Sequence, residues 1–304
     1  MMTPVQCGSS SWYEASARQR IGALADRGSF EEFLGPEQRE TSPHLALFDL
    51  PEQFDDGIVV GRARLAGQSV LLAAQEGRFM GGAFGEVHGA KLTGLLRGAR
   101  TLSLPVVILF DTGGVRLQEA NAGEMAICEI MREIVLARTE GIAVIGLIGG
   151  RAGCFGGGAL IAGCCSCLVI SEQGRLGVTG PEVIESHRGV EEFDSRDRAL
   201  VWRVTGGKHR FLTGGADLYV DDDGDAFRAA ALRALARTGA LDSDLLCREQ
   251  QRLERRLQRF GTLREPMALW SALGVAQPET IPARATDAFL SAAGAKRETA
   301  DDAR

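Results

Sequence analysis

From residue 57 onward the chain alternates between two rhythms. Short, wholly apolar runs argue strands, and longer stretches with apolar residues every three or four positions argue helices. Ile58-Val59-Val60-Gly61-Arg62-Ala63-Arg64-Leu65 and Ser69-Val70-Leu71-Leu72-Ala73-Ala74, joined by Ala66-Gly67-Gln68, predict a hairpin. Gly81-Gly82-Ala83-Phe84-Gly85 then opens a helix over 86–99, striped by Val87, Leu92, Leu95 and Leu96. Two further units follow. The strand Val106-Val107-Ile108-Leu109-Phe110 runs into Asp111-Thr112-Gly113-Gly114-Val115-Arg116 and a helix over 121–139. A strand over 142–148 runs into Gly149-Gly150-Arg151-Ala152-Gly153-Cys154-Phe155-Gly156-Gly157-Gly158, a helix through 160–163 and the strand Cys167-Leu168-Val169-Ile170. Pro181 suits the first turn of another helix, with Thr179 or Gly180 near its cap. Strands and helices in alternation predict an α/β fold.

The flanks differ. Residues 15–25 show helical spacing (Ala17, Ile21, Leu24) and stop at Asp26-Arg27-Gly28-Ser29; a polar stretch with Pro36, Pro43 and Pro51 follows. Beyond residue 200 the chain is helical and charged, with an Ala/Arg/Leu stretch over 226–237 and an Arg/Glu/Gln stretch over 244–260. Both read as solvated helices or a partner-binding extension. The expected division is an N-terminal helix and linker (1–55), a core (56–225) and a helical C-terminal extension (226–304). The tail over 293–304 is expected to fray.

Composition narrows the function. With 45% apolar and 24% charged residues the chain is an ordinary globular sequence, but its 39 glycines sit beside apolar runs, so disorder does not explain them. A net charge of −6 gives no footprint for nucleic acid. An odd count of seven cysteines and a polar N-terminus point to the reducing cytoplasm. Cys154 and the group Cys164, Cys165 and Cys167 lack paired knuckle spacing, so packed thiols are preferred over a metal site. Residues 142–170 carry Arg151 as their only charge, yet their glycine density and division into strand, turn, helix and strand argue a buried βαβ unit rather than a membrane span.

The two glycine-rich turns are the candidate chemistry. N–H groups at a strand-to-helix turn have no helical partner, and glycine lets a ligand approach them. A dinucleotide fingerprint and a phosphate loop are both missing. No G-x-S-x-G elbow occurs, and Cys154 has no adjacent activating base in sequence. What remains is catalysis by backbone amides that hold a thioester enolate oxygen. The bland alternative is that the glycines serve only tight turns and close strand–helix packing.

Ordered blocks carry a resemblance. Arg20-Ile21, Leu24, Asp26, Gly28-Ser29-Phe30 and Glu32 resemble the opening helix and turn of acyl-CoA carboxyltransferases. Asp56-Gly57-Ile58-Val59, Gly81-Gly82-Ala83-Phe84-Gly85-Glu86, Asp111-Thr112-Gly113-Gly114-Val115-Arg116-Leu117-Gln118-Glu119 and Gly177-Val178-Thr179-Gly180-Pro181-Glu182 are similar to its successive blocks, in order, over residues 18–190. The resemblance implies a crotonase-like β-β-α superhelix. Within the family the chain is most similar to the β subunits of biotin-independent malonate decarboxylases, through residues 75–91 and the turn 150–157.

That resemblance implies a cytoplasmic lyase that decarboxylates malonyl-S-acyl carrier protein to the acetyl thioester through an oxyanion-stabilised enolate. It implies catalytic positions at Gly113, Gly114, Gly153, Cys154, Gly156 and Gly157, although Ala152-Gly153-Cys154 departs from the general family pattern. Substrate contacts are implied at Gly81, Gly82, Phe84, Arg116, Thr179 and Gly180, with no metal and no permanently bound cofactor. The substrate would ride on the CoA-like prosthetic arm of an acyl carrier protein subunit. The other implied partners are a malonate decarboxylase γ subunit, as companion crotonase-like half, and an acyl carrier protein transferase subunit. Water, His88, Glu119, Thr179 or a partner group could protonate the enolate. A carboxyltransferase half serving biotin and a non-catalytic assembly subunit are the rivals.

Overall fold

The computed structural model describes residues 11–237, 239–294 and 296–297. Among the described residues nine strands form: β1 (Glu31–Glu32), β2 (Ile58–Leu65), β3 (Gln68–Gln75), β4 (Val106–Phe110), β5 (Val144–Ile148), β6 (Cys154–Phe155), β7 (Cys167–Ser171), β8 (Leu176–Gly177) and β9 (Leu218–Val220). Seven make one sheet, ordered β1-β2-β3-β4-β5-β7-β9, and β6 pairs with β8 apart from it. From β3 onward every pairing is parallel. The hairpin forms as its residues predict: Leu65 faces Gln68, and Ala66 and Gly67 both take positive φ, the turn whose twist matches paired strands.

The helices are α1 (Ala17–Leu24), α2 (Pro43–Leu47), α3 (Glu86–Leu102), α4 (Asn121–Thr139), α5 (Gly157–Cys164), α6 (Pro181–Arg188), α7 (Arg198–Thr205), α8 (Gly207–Leu212), α9 (Gly224–Leu235), α10 (Ser243–Phe260), α11 (Pro266–Ala272) and α12 (Thr286–Ala293). They cover both sheet faces, which is why β4, β5 and β7 read as unbroken apolar runs. On one face Leu92, Leu96, Ile130 and Ile134 of α3 and α4 pack on the sheet. On the other, Trp12, Ile21 and Leu24 meet Phe227 and Ala231. Gly89 lets α3 and α4 close together, since a methyl there would collide with Ala126.

Several boundaries move. The second glycine turn is shorter than its sequence suggests, because Cys154 and Phe155 form β6 against Leu176 and Gly177. α5 therefore begins at Gly157. The apolar stretch 142–170 becomes β5, β6, α5 and β7, and no helix among the described residues is long and apolar enough to cross a membrane. α8 and most of α7 fall in the stretch expected to be helical beyond residue 200, and β9 is a strand that the pattern there does not announce. α10 is the expected solvated helix, with Leu246, Leu253 and Leu257 exposed and only Arg252 and Phe260 buried. Residues 295 and 298–304 of the expected frayed tail, and Cys7, lie outside the described residues.

Candidate active site

Parallel register aligns the ends of β4 and β5, Phe110 opposite Ile148, so the two glycine turns emerge side by side. Backbone bonds then tie them together. Thr112 N–H donates to Gly153 O at 2.7 Å, and Phe155 N–H donates to Thr112 O at 2.9 Å. The turn after β3 joins them: Phe84 N–H donates to Gly114 O at 2.8 Å, and Gly113 N–H to Gly81 O at 2.8 Å. Gly114 (φ 132°) and Gly156 (φ 55°) meet where the turns touch, and a methyl on Gly156 would lie 3.3 Å from Gly114 Cα. At Gly82 (φ 66°) a methyl would collide with Asp111 O. Glycine is required here both for backbone angle and for space.

Gly113 N–H is held by Gly81, Gly114 N–H by Thr112 Oγ1 (3.1 Å), Gly153 N–H by Gly150 O (3.1 Å) and Cys154 N–H by Arg175 O (2.8 Å). Gly156 N–H donates to Val178 O at 3.2 Å. Unspent donors remain beside the contact between the turns, Gly158 N–H in the first turn of α5 among them. Val115 and Gly157 N–H groups have no acceptor among the described residues, and both residues are half-buried. Gly157 also opens α5, so the partial positive end of that helix stands behind it. A methyl at Gly157 would come within 3.2 Å of Val115 Cγ2, which makes the two residues neighbours.

The other expected residues divide. Gly81 and Gly113 are exposed at the turn rim; Thr179 is exposed and Gly180 half-buried beside Val178. Phe84 is fully buried, edge-on to His88. Arg116 is buried as well: Nη1 binds the Asp56 carboxylate (2.9 Å) and Glu119 (3.0 Å), and Nη2 donates to Asp56 O (2.7 Å). Its charge is consumed in the interior, so the expectation that it meets substrate finds no support in this geometry. Glu119 caps α3 by accepting Glu86 N–H at 2.5 Å.

His88 is equally committed. Nδ1–H donates to Asp56 O at 3.2 Å, and Nε2 accepts from the Gln75 amide at 3.1 Å, the tautomer that satisfies both. Burial, then the Arg116 charge, pushes its pKa down to about 3. It is a neutral structural imidazole and not a proton donor. Burial raises the Asp56 carboxyl despite Arg116, and raises the Cys154 thiol well above its usual range, so Cys154 is no thiolate. Among the described residues no group of three His, Cys, Asp or Glu is placed to hold a metal ion.

Sequence reasoning passed over Val115, which carries no glycine signal, and the buried pair Arg20–Asp111 (2.7 Å) behind the turns. The second has a faint signal: an aspartate directly after an apolar strand. A cavity of about 710 Å³ opens elsewhere, lined by Tyr13, Trp202, Trp270, Arg198 and Lys208 and by no residue of the glycine turns. Lys208 Nζ is already taken by Glu172 Oε1 (2.9 Å) and two backbone carbonyls.

Comparison with known proteins agrees with the architecture. Residues 14–236 match the family described as the carboxyl transferase domain. The chain is 38% identical, over 93% of its length and 95% of the relative, to the malonyl-S-ACP:biotin-protein carboxyltransferase of Malonomonas rubra. Among solved structures it is similar to a chain of a Pseudomonas malonate decarboxylase hetero-tetramer in complex with malonate: TM-score 0.79 and 43% identity, covering 85% of this chain and 95% of that one. The transcarboxylase 12S core shares the fold at 24% identity and TM-score 0.62, over 72% of this chain and 40% of that one. The fold is the crotonase-like α/β architecture that the ordered blocks imply.

Proposed function

The chain belongs to the carboxyl transferase domain family, and from that premise we propose that it is the β-type subunit of a malonyl-thioester decarboxylase. The observation that carries the reading is the junction of the two glycine turns, with the unspent Val115 and Gly157 amides beside it. Loss of CO2 from a malonyl thioester leaves an enolate whose oxygen carries the new charge. Amides fixed in place before the reaction stabilise that charge without reorganising, and losing one such donor typically costs about 10²–10³ in rate. Gly113, Gly114, Gly153, Cys154 and Gly156 would shape the cradle, while Val115 and Gly157 donate. His88 and Glu119, both engaged in the interior, drop out as proton donors and leave water, Thr179 or a partner group.

The site as it stands is open. Leu117 (86% exposed), Met125, Leu160, Val178 and Val183 present an apolar rim on the elements that flank the turns. Such a surface fits a partner that would close the site and lower its dielectric, strengthening each amide contact. The related Pseudomonas chain belongs to a hetero-tetramer, which supports a companion γ subunit. A carrier protein would bring the substrate on its CoA-like arm, loaded by a transferase subunit, in the cytoplasm. No resident cofactor is needed for this step.

The Malonomonas relative favours a second reading, transfer of the carboxyl to a biotin protein. One assay separates the two. The chain is reconstituted with its partner subunits and malonyl-acyl carrier protein, with and without avidin, and release of CO2 and acetyl thioester is followed. Turnover indifferent to avidin is expected; avidin-sensitive turnover would assign the carboxyl to biotin. Gly114→Val should slow turnover by about 10²–10³-fold in an intact complex, and unchanged turnover would mean an assembly role only.

A further inference from the structure

We infer that Asp111, held by Arg20, is the positioning residue of this site: a single buried carboxylate fixes both glycine turns and the N-terminal helix to one another, and so sets where the Val115 and Gly157 amides lie. The inference rests on the reading that these amides hold the enolate.

Asp111 directly follows β4 and begins the first turn. Its Oδ1 accepts the N–H of Ala152, in the second turn, at 2.6 Å. Its Oδ2 accepts from Arg20 Nη1 of α1 at 2.7 Å, and its own N–H donates to Gln75 Oε1 at 3.2 Å, at the end of β3. Two glycines wrap the carboxylate, since a methyl at Gly77 would lie 2.5 Å from both carboxylate oxygens and one at Gly150 would collide with the group. Arg20 is held in turn: Nε donates to Trp12 O (2.9 Å) and Nη2 to Tyr13 O (3.3 Å). The two side chains are 1% and 3% exposed.

Burying an ion pair of this kind is expensive, and well-packed apolar residues of the same volume often stabilise a fold as well or better. Stability alone therefore does not explain the pair. An apolar replacement could not supply direction. Two carboxylate oxygens tie Ala152 and α1 to the residue that starts the first turn, and the span from Ala152 to Gly157 contains β6 and the cap of α5. Asp111 touches no reacting atom in this scheme. It acts through the geometry of amides that do.

The test uses the reconstituted complex and the variants Asp111→Asn, Arg20→Met, Arg20→Lys and Arg20→Met with Asp111→Asn. Asp111→Asn should lower kcat by about 10²-fold with KM changed by less than about threefold, because a displaced donor is lost chiefly to the transition state. The double variant should lose no more than the worse single variant, as expected for two groups that act as one. Arg20→Lys should recover part of the Arg20→Met loss. Hydrogen exchange of the same complexes should quicken over residues 111–116 and 149–158 and stay unchanged in α3 and α9. Wild-type kcat in Asp111→Asn, additive losses, or faster exchange spread evenly through the sheet would overturn the inference. If Asp111→Asn does not fold, Arg20→Lys against wild type carries both readouts. The exchange pattern does not depend on turnover, so it still tests the clamp if Gly114→Val shows that the enolate reading fails.

Discussion

At the scale of single residues, glycine fixes how closely the turns may approach. Gly82 combines a left-handed backbone with contact against Asp111 O, so Gly82→Ala should cost at least about 1–3 kcal/mol in stability and most of the activity, read by denaturant midpoint and turnover. The sequence displayed these glycines but not which amide each turn leaves unspent. Of the six positions expected to be catalytic, every amide but that of Gly157 already donates inside the protein, and Val115, with no glycine signal, does not. Titration is also a property of single side chains. His88 and His209 are both pushed by burial to pKa values of about 3. The unfolded chain takes up their protons near pH 6.5 and the folded chain refuses them, so their contribution is complete above pH 6.5 and is lost as pH falls towards 3. Urea midpoints at pH 7 and 4.5 should show this loss, and His209→Gln, which keeps an acceptor for Trp270, should show less of it.

Elements are legible in the sequence wherever their periodicity is strong. The hairpin, β4 and α4 lie where the apolar pattern puts them, and α3 runs three residues past its expected end, because strands buried on both faces and amphipathic helices leave plain signatures. β6 was illegible, since two residues inside a glycine run become a strand only when Leu176 and Gly177 arrive to pair with them. α1 shows local and tertiary logic together. Ser16 and Gln19 form a reciprocal capping box at its start, and one turn later Arg20 reaches Asp111. Ser16→Ala should cost about 1 kcal/mol, seen as a lower denaturant midpoint. If α1 carries the clamp, the same variant should reduce kcat more than KM.

For the whole molecule, the exposed apolar rim matters most. Leu117, Met125 and Val178 are each more than half exposed beside the turns, where an isolated subunit would gain nothing from them. Leu117→Glu with Val178→Asp should leave the unfolding midpoint within about 0.5 kcal/mol of wild type. It should nonetheless abolish co-elution with the companion subunit in gel filtration. Co-elution unchanged from wild type would place the partner on another face. The hairpin, β4, α3 and α4, the α/β class and the presence of two glycine turns were set by the sequence itself, because periodicity and glycine's missing side chain are local properties. Which turns meet, which amides stay free, and that Arg116 and His88 face inward were decided by tertiary structure alone. Hydrogen-bond partners and burial belong to residues far apart in the chain, and no local pattern records who arrives to satisfy them.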